Sequence, residues 1–246
     1  MQTVMNLSAS EILKADGKKI VFVHVGKCAG GSAILSLNNA LGNDFTMFEM
    51  HVYNSNQIIR EVVTGAREDV FYLIATRDPI DRFISSFNWD KHNTFLSVES
   101  PGHQVRSWFE EFPSVNTLAR SLADPDQQKA TRALQFSRYG HMGMGPAWYT
   151  PMGLLPLLPK DRTFVLETEN FSADIQHFAA SIDPRLDGQQ IQVFHDKSDF
   201  TSAYDNPDVI FSKALSMEGR RNLRILLNED VHVWTTLRQT FRRAGT

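Results

Sequence analysis

A single cysteine, Cys28, stands in the 246 residues, so no intrachain disulfide can form and a stapled secreted scaffold is excluded. A reducing compartment, the cytoplasm, is the expectation. No apolar run reaches the roughly twenty residues that cross a bilayer. The opening "MQTVMNLSASEILKADG" has neither the basic start nor the apolar core of a secretory signal. Charge of one sign is also lacking: 25 Lys and Arg against 28 Asp and Glu leave a net −3. That excludes a general field for nucleic acid or an anionic membrane, so any anion site must be local. The eight histidines show no metal-binding spacing, and no metal is expected. Repeats and low-complexity segments are absent, and no linker divides the chain, which points to one domain over residues 1–246.

Hydrophobic residues make up 42% of the chain, enough for a substantial core. Three short, β-branched, nearly continuous apolar runs read as strands buried on both faces: 20–25 (IVFVHV), 70–77 (VFYLIATR) and 162–169 (RTFVLETE). Each precedes a helical pattern. After the first, Ile34, Leu35, Leu37 and Leu41 recur at helical spacing. After the second, Asp78 can cap and Pro79 can take the first helical position. After the third, Ile175, Phe178 and Ala179 form one stripe. Strand, turn and helix repeated in this way predict an α/β fold with three layers, α/β/α, around a mainly parallel sheet. Residues 93–159, rich in Gly, Pro and aromatics around Trp108, Phe136 and Trp148, are expected to cover the acceptor side. The stretch from Ser212 onward is helical in pattern.

Between the first strand and its helix runs Gly26, Lys27, Cys28, Ala29, Gly30, Gly31, Ser32. A Walker A loop places its lysine after the last glycine, whereas here it comes early. The parts of an anion cradle are nevertheless present: small residues for close backbone approach, a helix N-terminus, the Ser32 hydroxyl and the Lys27 charge. The same turn also serves as an ordinary strand-to-helix connection with an exposed lysine. A second segment, "TRDPIDRFISSF", puts Arg77 at a strand end and Ser85 two helical turns on, a second place for a phosphate-sized anion. Two anion sites at the carboxyl ends of parallel strands suit a nucleotide phosphorylated at both ends.

These two segments resemble motifs of the carbohydrate sulfotransferases that use 3′-phosphoadenosine 5′-phosphosulfate (PAPS). "FVHVGKCAGGS" is similar to their 5′-phosphosulfate loop and "RDPIDRFISSF" to their 3′-phosphate segment, in order and about fifty residues apart. Gly26, Cys28 and Gly31 stand where the family has Pro, Thr and Thr, which removes two hydroxyl donors and leaves the backbone N–H groups. The resemblance implies a P-loop-like sulfotransferase fold, PAPS as donor, no metal, and transfer to a hydroxyl of a carbohydrate or other small acceptor. It assigns donor binding to Lys27, Cys28, Ala29, Gly30, Gly31, Ser32, Arg77 and Ser85, with Lys197 and Ser198 of a late loop beside them.

For the chemistry, Lys27 is the natural stabiliser of charge on the leaving oxygen. In similar sulfotransferases a histidine between the two motifs serves as base, which selects His51, with Glu49 in reserve. His24 reads instead as a satisfied core histidine. His141, Trp148 and Tyr149 fall where the family contacts its acceptor, although aromatics are more often core. Arg82 either joins the 3′-phosphate site or pairs with Asp78. Two other functions fit the residues: a kinase with an altered phosphate loop, and a binding relative that kept the fold and lost catalysis.

Overall fold

A computed structural model describes residues 1–5, 8–51, 53–65, 68–194 and 200–241. Five strands build the sheet: β1 (Gln2–Met5), β2 (Lys18–Val23), β3 (Phe45–Met50), β4 (Val70–Thr76) and β5 (Thr163–Glu167). All pairings are parallel and the spatial order is β1-β3-β2-β4-β5. The helices follow in chain order: α1 (Ala9–Lys14), α2 (Gly30–Ala40), α3 (Ser55–Thr64), α4 (Pro79–Lys91), α5 (His103–Glu111), α6 (Val115–Ser121), α7 (Gln127–Ser137), α8 (Gly140–Gly143), α9 (Pro146–Tyr149), α10 (Phe171–Ile182), α11 (Pro207–Ile210), α12 (Met217–Leu226) and α13 (Asn228–Phe241). The three-layer α/β architecture expected from the sequence is the one observed. No described helix is long and apolar enough to cross a membrane.

The chain forms two compact units. The first comprises residues 1–77, 146–197 and 232–246 and contains the whole sheet. Ile20, Val21, Phe22 and Val23 of the central strand β2 are all fully buried, which is why that run reads as uninterrupted hydrophobicity. From β2 the chain steps outward to β3, then crosses back to β4 on the other side of β2. The reversal of direction lies between β2 and β4, the place where open parallel sheets form a crevice at their carboxyl ends.

Two strands escape a reading of the apolar runs. β1 is a four-residue edge strand, and β3, "FTMFEM", carries Met and Glu where β-branched residues signal a strand. The inward face of α2 also differs from expectation. Gly30, Ser32, Ala33, Ser36 and Leu37 are buried, whereas Leu35 is 46% exposed. The Ser36 hydroxyl resolves its own burial by donating to the Ser32 carbonyl and accepting from the Phe194 N–H.

The second unit comprises residues 78–145 and 198–231. Its core is aromatic: Phe136 lies edge-on to Phe109 with centroids 4.9 Å apart and stacks on Trp108 at 5.2 Å, with Phe87 and Phe112 around it. Asp78 caps α4 by accepting from the Ile80 and Asp81 N–H groups, and Pro79 opens the helix. Of the alternatives read for Arg82, the pair with Asp78 gives way to other partners. Fully buried, Arg82 donates to the carbonyls of His141, Met142 and Met144 and to Ser86 Oγ, because a guanidinium removed from water needs acceptors and Asp78 is already committed to the cap. Phe136→Ala is expected to cost about 3–5 kcal/mol, read as a lower urea midpoint with an unchanged slope; a loss under about 1 kcal/mol would show that the aromatic cluster does not hold this unit together.

Candidate functional site

Parallel register brings the chemistry together. Val23 pairs with Met50 and Phe22 with Glu49, and the ladder continues as the His24 N–H donates to the Met50 carbonyl at 3.3 Å. Because side chains two apart share a face, Phe22 and His24 project from the same face as Glu49 and His51. At the carboxyl ends of β2 and β3, four groups therefore meet: His24, Glu49, His51 and, from α9, Tyr149.

The contacts fix their states. Glu49 is buried, and its Oε1 lies 2.5 Å from His24 Nδ1. That hydrogen bond, assisted by the nearby imidazoles, holds the Glu49 carboxyl below its usual range in spite of burial, so the side chain is an anion. A carboxylate only accepts, so His24 Nδ1 carries the proton. The His24 ring stacks on Phe22 and on His51, the latter with centroids 4.5 Å apart and 27° between planes. His51 Nδ1 lies 2.8 Å from the His24 carbonyl oxygen. A carbonyl only accepts, so Nδ1 of His51 is the N–H and Nε2 has the lone pair. The Tyr149 hydroxyl approaches the same Nδ1 at 3.2 Å and its ring lies nearly parallel to the imidazole.

His24 is thus not a core residue inside a strand but a half-buried group one position beyond β2. Sequence reasoning passed over it. The available signal was the period-two pattern, F-x-H in one strand against E-x-H in the next, which is visible only once "FTMFEM" is read as the neighbour of β2.

The glycine-rich turn follows at once. Lys27 and Ala29 both adopt left-handed backbone, with φ of 68° and 60°. Such geometry costs of order 1 kcal/mol for each residue with a Cβ and persists where a tight loop or ligand clamp demands it. Ala29 occupies the N-cap of α2 without a side chain that can bond the first turn, so the helix N-terminus keeps its polarity for an anion. Ser32 is buried in that first turn, Gly31 is half-buried, and Cys28 is buried with Sγ directed at the Gly26 carbonyl. Gly30 has a sharper reason to be glycine than close approach of a ligand. A Cβ there would stand 1.9 Å from both Cδ2 and Nε2 of His24, so the imidazole fills the space that any other residue would need.

At the end of β4, Thr76 Oγ1 and Arg77 Nε are buried polar atoms without hydrogen-bond partners. The Arg77 guanidinium reaches only to 3.9 Å from Glu169 Oε1, at the limit of an ion pair. Orphaned donors at the carboxyl edge of a parallel sheet are what a bound anion would satisfy. Trp148, half-exposed, meets the exposed Tyr53 edge-on, while Tyr149 beside it is buried against His51. The second unit carries Ser85, half-buried on α4, and His141, whose Nδ1 lies 2.7 Å from the buried Asp90 and whose N–H donates to the same carboxylate. Lys197 and Ser198 lie outside the described residues. Among the described residues, no cluster of His, Cys, Asp and Glu could hold a metal ion.

Gly30→Ala is expected to lose about 1–3 kcal/mol of stability by forcing His24 out of place. Gly42, where a Cβ would meet nothing nearer than Arg185 at 3.9 Å, is the control and should tolerate Ala within about 0.5 kcal/mol. Chemical denaturation of both variants checks this, and equal tolerance at the two positions would refute the steric account.

No curated protein matches the chain. A family model described as "Sulfotransferase family" matches residues 10–143, more than half of the protein. That span includes the glycine-rich turn, the His24–Glu49–His51 group, Arg77 and α4. The chain belongs to the sulfotransferase family.

Proposed function

We propose that this sulfotransferase takes its sulfuryl group from PAPS and transfers it to a hydroxyl of a carbohydrate or another small acceptor. The observation that carries the reading is the meeting, at the carboxyl edge of one sheet, of an anion-binding turn after β2 and an imidazole with its Nε2 lone pair after β3. The turn suits the donor's 5′ end: backbone N–H groups of a helix start, the Ser32 hydroxyl and the Lys27 ammonium replace the hydroxyls that Cys28 and Gly31 do not provide. Arg77, with its unpartnered Nε, takes the 3′-phosphate.

In the reaction His51 Nε2 accepts the acceptor's proton as its oxygen attacks sulfur in line. The bond between sulfur and the bridging oxygen breaks, adenosine 3′,5′-bisphosphate leaves, and Lys27 stabilises the charge that collects on that oxygen. Trp148 offers the half-exposed ring that a sugar stacks on.

The direct test is transfer of labelled sulfate from PAPS to a panel of glycans and small alcohols; transfer to none, with the product nucleotide still bound, would leave a binding protein. Arg77→Ala should weaken adenosine 3′,5′-bisphosphate by about 1.5–3 kcal/mol in calorimetry and leave adenosine 5′-phosphate nearly unaffected. Equal losses for both nucleotides would remove Arg77 from the 3′ site. With the best acceptor of the panel, Lys27→Ala and His51→Ala should each lower kcat by at least about a hundredfold. Binding of adenosine 3′,5′-bisphosphate should change little in His51→Ala and should fall much less than kcat in Lys27→Ala. A His51→Ala protein with full turnover would put the base elsewhere.

A further inference from the structure

We infer that Glu49 is a positioning residue: through His24 it holds the His51 imidazole in the one orientation and tautomer that makes Nε2 the proton acceptor. This rests on the reading of His51 as base. Every link is a short contact. Glu49 Oε1 fixes the His24 ring through Nδ1 at 2.5 Å. The ring is also confined from the side of Gly30, where the missing Cβ leaves it room, and from Phe22, on which it stacks. So held, it is a rigid floor beneath His51, whose ring lies on it at 4.5 Å. The His24 carbonyl, set by its own residue's ladder bond to Met50, receives the His51 Nδ1–H, the Tyr149 hydroxyl lies 3.2 Å from the same nitrogen, and the ring seated on this floor stays turned towards that carbonyl.

The chemistry of a base requires this. An imidazole with only one hydrogen-bond partner and no packing against its face can turn about its side-chain bonds and exchange which nitrogen bears the proton, and half of those states present an N–H where a lone pair is needed. An imidazole fixed on both counts has its accepting atom in place before the acceptor arrives. Glu49 cannot serve well as the base itself, since its carboxylate is buried, committed to His24 and weakened as a proton acceptor by that hydrogen bond. The hydrogen-bonding capacity of Glu49, not its charge, is what the geometry uses. Gln can provide the same acceptor atom, and Leu, of similar volume, cannot.

The experiment uses nitrogen NMR of the full chain, with the His51 signals assigned by their loss in His51→Ala. At a pH above its titration, wild-type His51 should show the Nδ1–H form. In Glu49→Leu the signals should move to a mixture with a substantial Nε2–H share, and kcat with the best acceptor of the panel should fall about 10–100-fold, as for other supporting hydrogen bonds. Affinity for adenosine 3′,5′-bisphosphate should be unchanged. Glu49→Gln should restore the Nδ1–H form and bring kcat within about threefold of wild type. An Nε2–H tautomer in the wild type overturns the inference without any variant, so it stands to be tested even if Glu49→Leu fails to fold. A Glu49→Leu protein that matches wild type in tautomer and kcat overturns it too. If Glu49→Gln is as inactive as Glu49→Leu while His51 keeps the Nδ1–H form in both, the carboxylate is itself the reacting base and the positioning role is wrong. Full turnover in His51→Ala is a different result, since it removes the base reading whatever Glu49 does.

Discussion

The backbone hydrogen bond from His24 to Met50 is the constraint on which the site depends. It extends the parallel ladder one residue beyond the last paired strand positions, and so decides that residues 24 and 51 stand side by side and not a residue out of step. A slip of one position in β3 would turn Glu49 and His51 to the opposite face and leave His24 with neither a carboxylate nor a ring to meet. The buried runs on both sides make such a slip costly. Phe45, Met47 and Phe48 of β3 are buried beside Ile20 to Val23 of β2, so the hydrophobic core sets the register and the register sets the polar group.

The two units share one way of holding a histidine. In the first, Glu49 engages Nδ1 of His24 and a glycine stands against the ring. In the second, Asp90 engages Nδ1 of His141, and the glycine is Gly140, with φ of 54° and a missing Cβ that would come within 2.6 Å of the Asp90 carboxylate. Arg82 adds stiffness below His141 by drawing three carbonyls of residues 141–144 onto a single guanidinium. In each case a buried carboxylate specifies the tautomer, and a backbone without a side chain provides the room.

Much of this was legible in the sequence. The β2 and β4 runs, the Asp78 cap with Pro79 behind it and the α10 stripe all express local rules, such as continuous burial, capping and helical period, that operate over a few neighbouring residues. What escaped depends on residues far apart in the chain. His24 looked like a core residue because its neighbours in sequence are apolar, while its partner lies 25 positions on. β3 was hidden because a central strand needs only burial and pairing, which Met and Glu can satisfy when the flanking strand is present. Asp78, four residues before Arg82, is the partner that helical spacing offers, whereas the carbonyls that the guanidinium meets lie about sixty residues later. Leu35 misled in the opposite direction: its spacing is helical, but α2 turns its small residues inward, where the helix must pack closely.

The space at Gly30 limits what this fold can become. A methyl there and the His24 imidazole in its present position are mutually exclusive, so the two positions cannot drift independently. A chain of the same architecture with alanine at the start of α2 would have to place this histidine elsewhere, away from the ring of His51. One hydrogen atom in place of a methyl, at the start of α2, thus decides whether an imidazole and a carboxylate can meet at the ends of β2 and β3.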